Sequence, residues 1–213
     1  MRATRGLLAA ALFGVAVSSA AGQSRHVRSV EELRDQGVVR QRLDLTCGAA
    51  AIATLMTYQF GRPASERDVV LALLGRTSPA LVRAQLGFSL LDLKRYASVQ
   101  GLAAAGFSGM DSADLDARAP VIVPLRWHGF RHFVVYRGRR GDRVLLADPA
   151  FGNRTLRLDA FQSAWAGGIA FIVFDPADPR PSNRMGAPAE LFLVPDGQAR
   201  RSVLAHGSAG VGS

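Results

Sequence analysis

The sequence predicts an α+β protein in which N-terminal helices pack against a C-terminal, mostly antiparallel sheet. The first half of the chain carries helical signals, namely capping pairs and an alanine-rich run. The second half carries short runs rich in Val, Ile, Leu and Phe, which Gly, Pro and Asp separate. The chain has 213 residues, of which 48% are hydrophobic and 20% charged. That length and composition suffice for one globular domain with a hydrophobic core.

Residues 1–22 are predicted to be a signal peptide. Two arginines precede an apolar run at 6–17, and small residues follow it, with Ser18 and Ala20 at the −3 and −1 positions of one cleavage site. The apolar run is too short for a comfortable membrane-spanning helix. We therefore expect an exported protein, periplasmic or secreted, whose association with a membrane would require an uncleaved signal or a partner.

The helices are expected in the first hundred residues. Residues 23–37 are polar and predict a linker with a short helix at 30–35. A buried helix is expected at 46–60, because its side chains are apolar on almost every side, and Gly61 and Pro63 end it. Two pairs with capping-box spacing predict two more helices, which end near residues 74 and 100: Ser65 with Asp68, and Ser89 with Asp92.

The strands are expected in the second half, and a tail follows them. Short β-branched and aromatic runs predict strands at 121–126, 132–137, 144–148 and 169–174. Residues 176–213 are rich in Pro, Gly and Ser, which predicts a loosely attached tail. Within that tail, the apolar residues 191–194 could dock as a short strand.

Charge and cysteine content exclude several classes of protein. The net charge is +9, but the basic residues are almost all arginines, they are scattered, and Lys94 is the only lysine. We therefore expect no nucleic-acid partner. Cys47 is the only cysteine, which excludes an intramolecular disulfide and any site built from several cysteines. No cofactor and no metal are expected.

Cys47 is the first candidate for chemistry. It lies at the predicted start of the buried helix, where the helix dipole and unpaired N–H groups favour a thiolate, and Thr46 or Asp44 could cap that helix. The alternative is a buried, inert cysteine. A lone thiol is a liability in an oxidising compartment, so the predicted export favours a reactive role.

His132 is the histidine best placed to act as a base. His26 and His206 lie in terminal segments, whereas His132 begins a strong strand. If residues 139–141 form a three-residue hairpin loop with Gly141 in the left-handed conformation, the register places His132 opposite Asp148. A carboxylate beside an imidazole fixes its tautomer and stabilises the imidazolium.

Two further residues could take part in the site. His128 precedes His132 by four residues and is a rival base or, less favoured, a metal ligand together with Cys47 and Asp148. Gln41 lies six residues before Cys47. On its own it is an ordinary polar loop residue, but a side-chain amide near a nucleophilic thiol could stabilise an oxyanion.

Taken together, these features resemble the C39 family of papain-like cysteine peptidases, the bacteriocin-processing, double-glycine peptidases. Across 38–175 the order and spacing of the matching pieces agree with the family. These are Gln41 and Cys47-Gly48 with the alanine-rich helix, residues 87–93 leading to Gly106-Phe107, Pro120-Val121-Ile122, residues 132–135, Asp148-Pro149 with Gly152, and Phe161 with Trp165-Ala166-Gly167.

The resemblance implies a papain-like peptidase domain at 38–175. It implies Cys47 as the nucleophile, His132 as the general base, Asp148 as the orienting carboxylate and Gln41 as the oxyanion-hole donor. Family members cleave leader peptides after small residues, typically a Gly-Gly pair. The expected partner is therefore a peptide or protein substrate with small residues at the cleavage site, and a secretion-system component is a further expected partner.

The chain departs from the family pattern in two respects. Many members are domains of membrane ABC transporters, whereas here an export signal is predicted, and Thr46 stands where members frequently carry an acid. Free-standing exported members are similar to peptidases that accompany functional-amyloid secretion and fimbria-like gene clusters. Two alternatives stay open: a leader-docking domain that does not cut, which intact Cys47 and His132 disfavour, and a thiol acyltransferase or amidase acting on cell-wall peptide.

Overall fold

The computed structural model describes residues 28–127, 129–179 and 182–193. The predicted signal peptide at 1–22, together with His26, His128 and His206, lies outside the described residues. In the described ranges, no helix is both long and apolar enough to cross a membrane. The helices there are α1 (Val30–Asp35), α2 (Cys47–Thr54), which continues as a π-helical turn (Leu55–Gln59), α3 (Glu66–Leu74), α4 (Pro79–Ala84), α5 (Leu90–Val99), α6 (Ser112–Arg118), α7 (Leu158–Ala164) and a 3₁₀ helix (Ala189–Leu193).

The described strands form one antiparallel sheet. In chain order they are β1 (Ala103–Phe107), β2 (Val121–Trp127), β3 (Phe130–Arg140), β4 (Arg143–Asp148), β5 (Gly152–Arg157) and β6 (Ala170–Phe174). Their order across the sheet is β1-β6-β2-β3-β4-β5, and each pairing is antiparallel. The sheet therefore places β3 and β4, which carry the predicted histidine and carboxylate, side by side.

The central helix α2 packs against one face of the sheet. Its residues Ala49 to Ala53 have no solvent exposure, and all of them except Ala50 share a core with Ile122, Val135 and Phe171 of the strands. Small side chains allow this close approach: a Cβ added to Gly48 would lie 3.4 Å from the ring of Phe133. The alanine-rich sequence thus brings the start of α2 against the beginning of β3.

Helices α6 and α7 cover the other face of the sheet. Leu115 of α6 and Phe161 of α7 are fully buried there, in a second core with Val123, Val134 and Tyr136. Alternating residues of β3 therefore point into two different cores, as the two-residue period of a strand requires. The sheet is a middle layer between the N-terminal helices and the pair α6 and α7.

Most predicted elements are confirmed. The helix predicted at 30–35 and the helices after both capping boxes are present, and each predicted pair of capping hydrogen bonds is formed. The four predicted strands correspond to β2, β3, β4 and β6. The sequence patterns did not predict α4, α6, α7, β1 and β5, which are short elements of five to seven residues.

Residues 182–193 form a segment, the strap, that packs against the rest of the domain. Met185 is buried in the main core, and Leu191 is fully buried beside Leu33 and Leu145. This packing differs from the expectation of a loosely attached tail. The strand predicted at 191–194 is also wrong for its described residues, which lie in the 3₁₀ helix, because the Leu191 N–H closes a local turn onto Pro188 O at 3.1 Å.

Arg137 fastens the strap to the sheet. This buried residue of β3 donates to Met185 O at 2.9 Å, to Gly186 O at 3.2 Å, to Gln36 O at 3.1 Å and to the Asn153 side chain at 2.7 Å. Burial lowers the pKa of its guanidinium to about 10. Neutral oxygens from the N-terminal segment, the strap and β5 therefore solvate one buried cation.

Candidate active site

Cys47 is the first residue of α2 and is a free, nearly buried cysteine. Its sulfur accepts a hydrogen bond from the backbone N–H of Phe133, with N and Sγ 3.5 Å apart. The expectation that Thr46 or Asp44 caps α2 is wrong for Thr46, which occupies the N-cap position without a side-chain capping bond. Its hydroxyl instead lies 2.7 Å from Leu43 O and also donates to the Glu66 carboxylate.

His132 lies between the thiol and a buried carboxylate. Its Nε2 is 2.7 Å from Asp148 Oδ1, and the Cys47 side chain lies close enough to contribute to the raised pKa of the ring. Because Nε2 faces the carboxylate, Nδ1 is the ring nitrogen left for the sulfur. The side chain of His132 is 14% exposed, so the ring is held by the protein and still reachable from solvent.

Asp148 is fully buried at the end of β4, and its carboxylate accepts several hydrogen bonds. Its Oδ1 accepts from the Ala150 N–H at 2.9 Å as well as from His132, and its Oδ2 accepts from Arg154 Nε at 2.8 Å. The Asp148-Pro149 turn, predicted as a strand end, thus also orients the carboxylate. Arg154 of β5 was not among the predicted site residues, because one arginine among many carries no distinguishing sequence signal.

The prediction that His132 and Asp148 are neighbours is confirmed, but the predicted hairpin register is wrong. The loop between β3 and β4 has two residues, since Arg140 pairs with Arg143, and a bulge at Arg137 shifts the register further along. Beyond that bulge Val135 pairs with Ala147, so the ladder places Asp148 diagonally across from His132 rather than directly opposite.

The charges around His132 favour an ion pair between its ring and the Asp148 carboxylate. Burial acts to lower the pKa of His132, but its hydrogen bonds and electrostatic attraction to Asp148 and Cys47 outweigh burial and raise that pKa to about 9. Burial likewise acts to raise the pKa of Asp148, but His132, Arg154 and the Ala150 N–H hold it below its ordinary value. At neutral pH the ring is therefore an imidazolium beside an ionised carboxylate.

Gln41 lies in the loop that leads to Cys47. Its backbone N–H donates to Pro149 O at 2.9 Å, which ties this loop to the turn after Asp148. Its side-chain Nε2 is 3.4 Å from Leu43 O, while its Oε1 is enclosed without a hydrogen-bond partner. The amide is thus held within the loop that precedes Cys47, with part of its bonding capacity unused.

A groove of about 640 Å³ lies near Cys47. Phe133, whose N–H donates to Cys47, is part of its wall, and Gly87 approaches Leu45 so closely that a Cβ would lie 3.1 Å from Leu45 O. The groove is lined by residues 84–90, Pro124, Gly129, Arg131, Phe133 and Ile169. Phe133 therefore links this groove to Cys47.

No group of three or more His, Cys, Asp and Glu side chains in the described ranges is placed to hold a metal ion. The residues gathered around Cys47 are instead those of a thiol hydrolase. A cysteine at a helix start, a histidine on a facing strand and a carboxylate behind that histidine define the papain-like class of cysteine peptidases.

The comparisons identify the family. The model of the Peptidase C39 family matches residues 35–178, and the chain therefore belongs to this family of cysteine peptidases. The chain is 38% identical over 150 residues to the probable functional amyloid protease FapD of Pseudomonas aeruginosa, and 37% identical over 149 residues to that of Pseudomonas fluorescens. Each alignment covers 70% of this chain and 65% of the relative, which is less than two thirds of the relative's length.

Solved structures agree with this assignment. A double glycine motif protease from an AMS/PCAT transporter, in complex with its leader peptide, has a TM-score of 0.53 and 25% identity over 65% of this chain and 90% of its own. The peptidase domain of Streptococcus ComA has a TM-score of 0.54 at 22% identity, over 64% of this chain and 96% of its own, and shows the shared fold. The predictions of a papain-like fold and of a cysteine peptidase family are confirmed.

Proposed function

We propose that this chain is an exported cysteine endopeptidase that cleaves peptide bonds after small residues, Gly-Gly-like, in a secreted or leader-bearing substrate. The observation that carries the proposal is the position of His132, whose Nε2 is 2.7 Å from Asp148 Oδ1 and whose ring interacts electrostatically with Cys47. This arrangement supports Cys47 as the nucleophile, His132 as the proton carrier and Asp148 as the orienting carboxylate.

The proposed reaction has two stages. The Cys47 thiolate attacks the substrate carbonyl carbon, and the carbonyl π electrons move onto oxygen. The His132 imidazolium gives its proton to the leaving amine as the C–N bond breaks, which leaves a thioester on Cys47. Neutral His132 then takes a proton from water, whose oxygen attacks the thioester carbon, and the C–S bond breaks to release the acid product and restore the Cys47 thiolate and the His132 imidazolium.

Gln41 is the proposed donor to the oxyanion. Its side-chain amide lies in the loop before the nucleophile, and its enclosed Oε1 has no hydrogen-bond partner in the described residues. Its Nε2 carries two N–H groups, of which at most one is used in the long 3.4 Å contact to Leu43 O, so a donor is left for an oxyanion. The loss of one such donor lowers turnover by about two to three orders of magnitude.

Two comparisons support the proposed substrate class and pathway. The transporter-derived relative is described as a double glycine motif protease and has a leader peptide bound, which supports a peptide substrate with small residues at its cleavage site. The Pseudomonas relatives are described as probable functional amyloid proteases. With the signal predicted at 1–22, these names support a role outside the cytoplasm in a functional-amyloid or fimbria-like secretion pathway, alongside a secretion-system component.

The test is cleavage of peptides that contain an internal Gly-Gly pair, compared with cell-wall peptides, by wild-type protein and by Cys47→Ala. We expect wild type to cut after Gly-Gly and Cys47→Ala to be inactive while it melts at the same temperature and still binds the peptide. Cleavage of cell-wall peptides alone would identify an amidase or acyltransferase. Binding without cleavage by wild type would identify a docking domain. N-terminal sequencing of the exported protein tests the proposed signal.

A further inference from the structure

Glu66 is a buried acid that forms hydrogen bonds with residues outside its own helix. It is the first residue of α3, and only 6% of its surface is exposed. One carboxylate oxygen accepts from the backbone N–H of Arg42 at 2.9 Å, and the other accepts from the N–H of Leu43 at 3.2 Å and from the Thr46 hydroxyl. A buried carboxylate is retained when such donors satisfy it.

The loop that Glu66 binds connects Gln41 to Cys47. All three donors lie between these two residues, and the last of them, Thr46, immediately precedes the nucleophile. Leu45 in the same loop has φ +64°, a left-handed conformation that is unfavourable for a non-glycine residue. Such a conformation persists when surrounding contacts hold it, and the carboxylate of Glu66 bonds residues on both sides of Leu45.

A neighbouring acid on the same helix shows the contrast. Asp68 accepts from the N–H and the hydroxyl of Ser65 and thereby caps α3 itself. Glu66 is oriented away from this local cap and toward the loop. Its bonds therefore do not serve the start of α3, and their effect falls on the segment that carries the proposed oxyanion donor.

We propose that Glu66 is a positioning residue that holds the loop 41–46 so that the Gln41 amide faces an oxyanion formed at Cys47. This inference rests on the proposed function. Glu66 acts through the loop and does not itself reach the reacting atoms, so its loss should affect a step that builds an oxyanion more than one that does not.

Two reactions of Cys47 distinguish a loss of oxyanion stabilisation from a general loss of thiol reactivity. Peptide cleavage passes through a tetrahedral oxyanion, whereas alkylation by iodoacetamide replaces iodide at a CH₂ carbon and places no charge on an oxygen. In Glu66→Gln the amide nitrogen meets a backbone N–H donor, so the loop shifts. We expect kcat for a Gly-Gly peptide to fall about tenfold or more, with the alkylation rate within about twofold of wild type.

A double-mutant cycle tests whether Glu66 acts through Gln41. In the Gln41→Ala background, Glu66→Gln should lower kcat by no more than about twofold, because the donor it positions is already absent. Asp68→Asn is the matched control, since it removes an acid from the same helix without touching the loop, and it should leave kcat unchanged. If Glu66→Gln fails to fold, Glu66→Asp takes its place, because it keeps the charge but shortens the reach. It should likewise lower the rate of cleavage more than the rate of alkylation.

Amide hydrogen exchange at Arg42 and Leu43 provides a readout that needs no activity. Exchange there should accelerate in Glu66→Gln and stay at the wild-type rate in Asp68→Asn. Unchanged exchange, an equal loss of alkylation and cleavage, or a full additional loss in the Gln41→Ala background would overturn the role of Glu66. Failure of wild type to cleave any Gly-Gly peptide would overturn the proposed function instead, and exchange would then decide whether Glu66 holds the loop.

Discussion

Leu191→Ala should destabilise the whole domain, although Leu191 lies beyond the span that the family model matches. Its side chain is fully buried between α1 and β4, beside Leu33 and Leu145. Leu193, two residues further along the same 3₁₀ helix, is 74% exposed. The pair therefore allows the same substitution to be made at a buried and at an exposed position of one short segment.

The expected magnitude follows from this burial. Leu-to-Ala substitutions in protein cores cost about 2–5 kcal/mol, and the cost is lower where the site can collapse. The cluster around Leu191 is small and lies under a single short segment, so we expect about 2–3 kcal/mol. For a domain of this size that corresponds to a melting temperature lower by about 5–10 °C. Leu193→Ala should change the free energy of unfolding by less than about 0.5 kcal/mol.

The assay is thermal unfolding followed by circular dichroism, with chemical denaturation to confirm the free energies. A chain ending at 178 extends the test, because it also removes the Met185 and Gly186 carbonyls from the buried Arg137. It should melt at a lower temperature than a chain ending at 193. Equal melting temperatures for wild type, Leu191→Ala and the chain ending at 178 would refute the packing argument and support a loosely attached tail.

Three further predictions concern the active site. Asp148→Asn should retain the fold but lower kcat far more than it weakens peptide binding, because an amide cannot stabilise the His132 imidazolium; steady-state kinetics decide this, and wild-type turnover would remove Asp148 from the site. Gln41→Ala should lower kcat by about two orders of magnitude with little change in melting temperature, and Gln41→Glu should be at least as harmful. Near-normal rates in both variants would show that Gln41 is not the oxyanion donor and that its spacing to Cys47 is a coincidence. Because the pKa of His132 is raised to about 9, its stabilising contribution is complete below its unfolded value of 6.5 and lost as pH rises through 9. Both stability and kcat/KM should therefore decline in that range, and an alkaline limb centred near pH 7 would contradict the ion pair.

Local signals account for the parts of the fold that the sequence predicted well. A capping box depends on residues three positions apart, so Ser65 with Asp68 and Ser89 with Asp92 could be interpreted without knowledge of the rest of the fold. Cys47 and His132 were found for a different reason. A single cysteine and a single histidine at the start of a strong strand leave few combinations to consider.

Long-range contacts account for what the sequence could not predict. Glu66 has the position of an ordinary acid in a first helical turn, and its hydrogen bonds reach residues more than twenty positions earlier. Arg154 is one of many arginines, and its meeting with Asp148 depends on how β4 and β5 pair. The burial of Leu191 likewise depends on α1, which precedes it by more than 150 residues. No periodicity within a short window contains such information.

The hairpin shows how an incorrect register still placed His132 beside Asp148. Side chains alternate between faces, so a shift by one residue moves Asp148 to the face opposite His132, and a shift by two returns it. The two-residue loop alone would pair Asp148 with Val135, whose side chain packs toward α2. The bulge at Arg137 adds one residue to β3, after which Val135 pairs with Ala147 and Asp148 shares a face with His132. The same bulged residue donates to the strap, so one position of β3 both shifts the register that brings His132 beside Asp148 and holds the C-terminal segment.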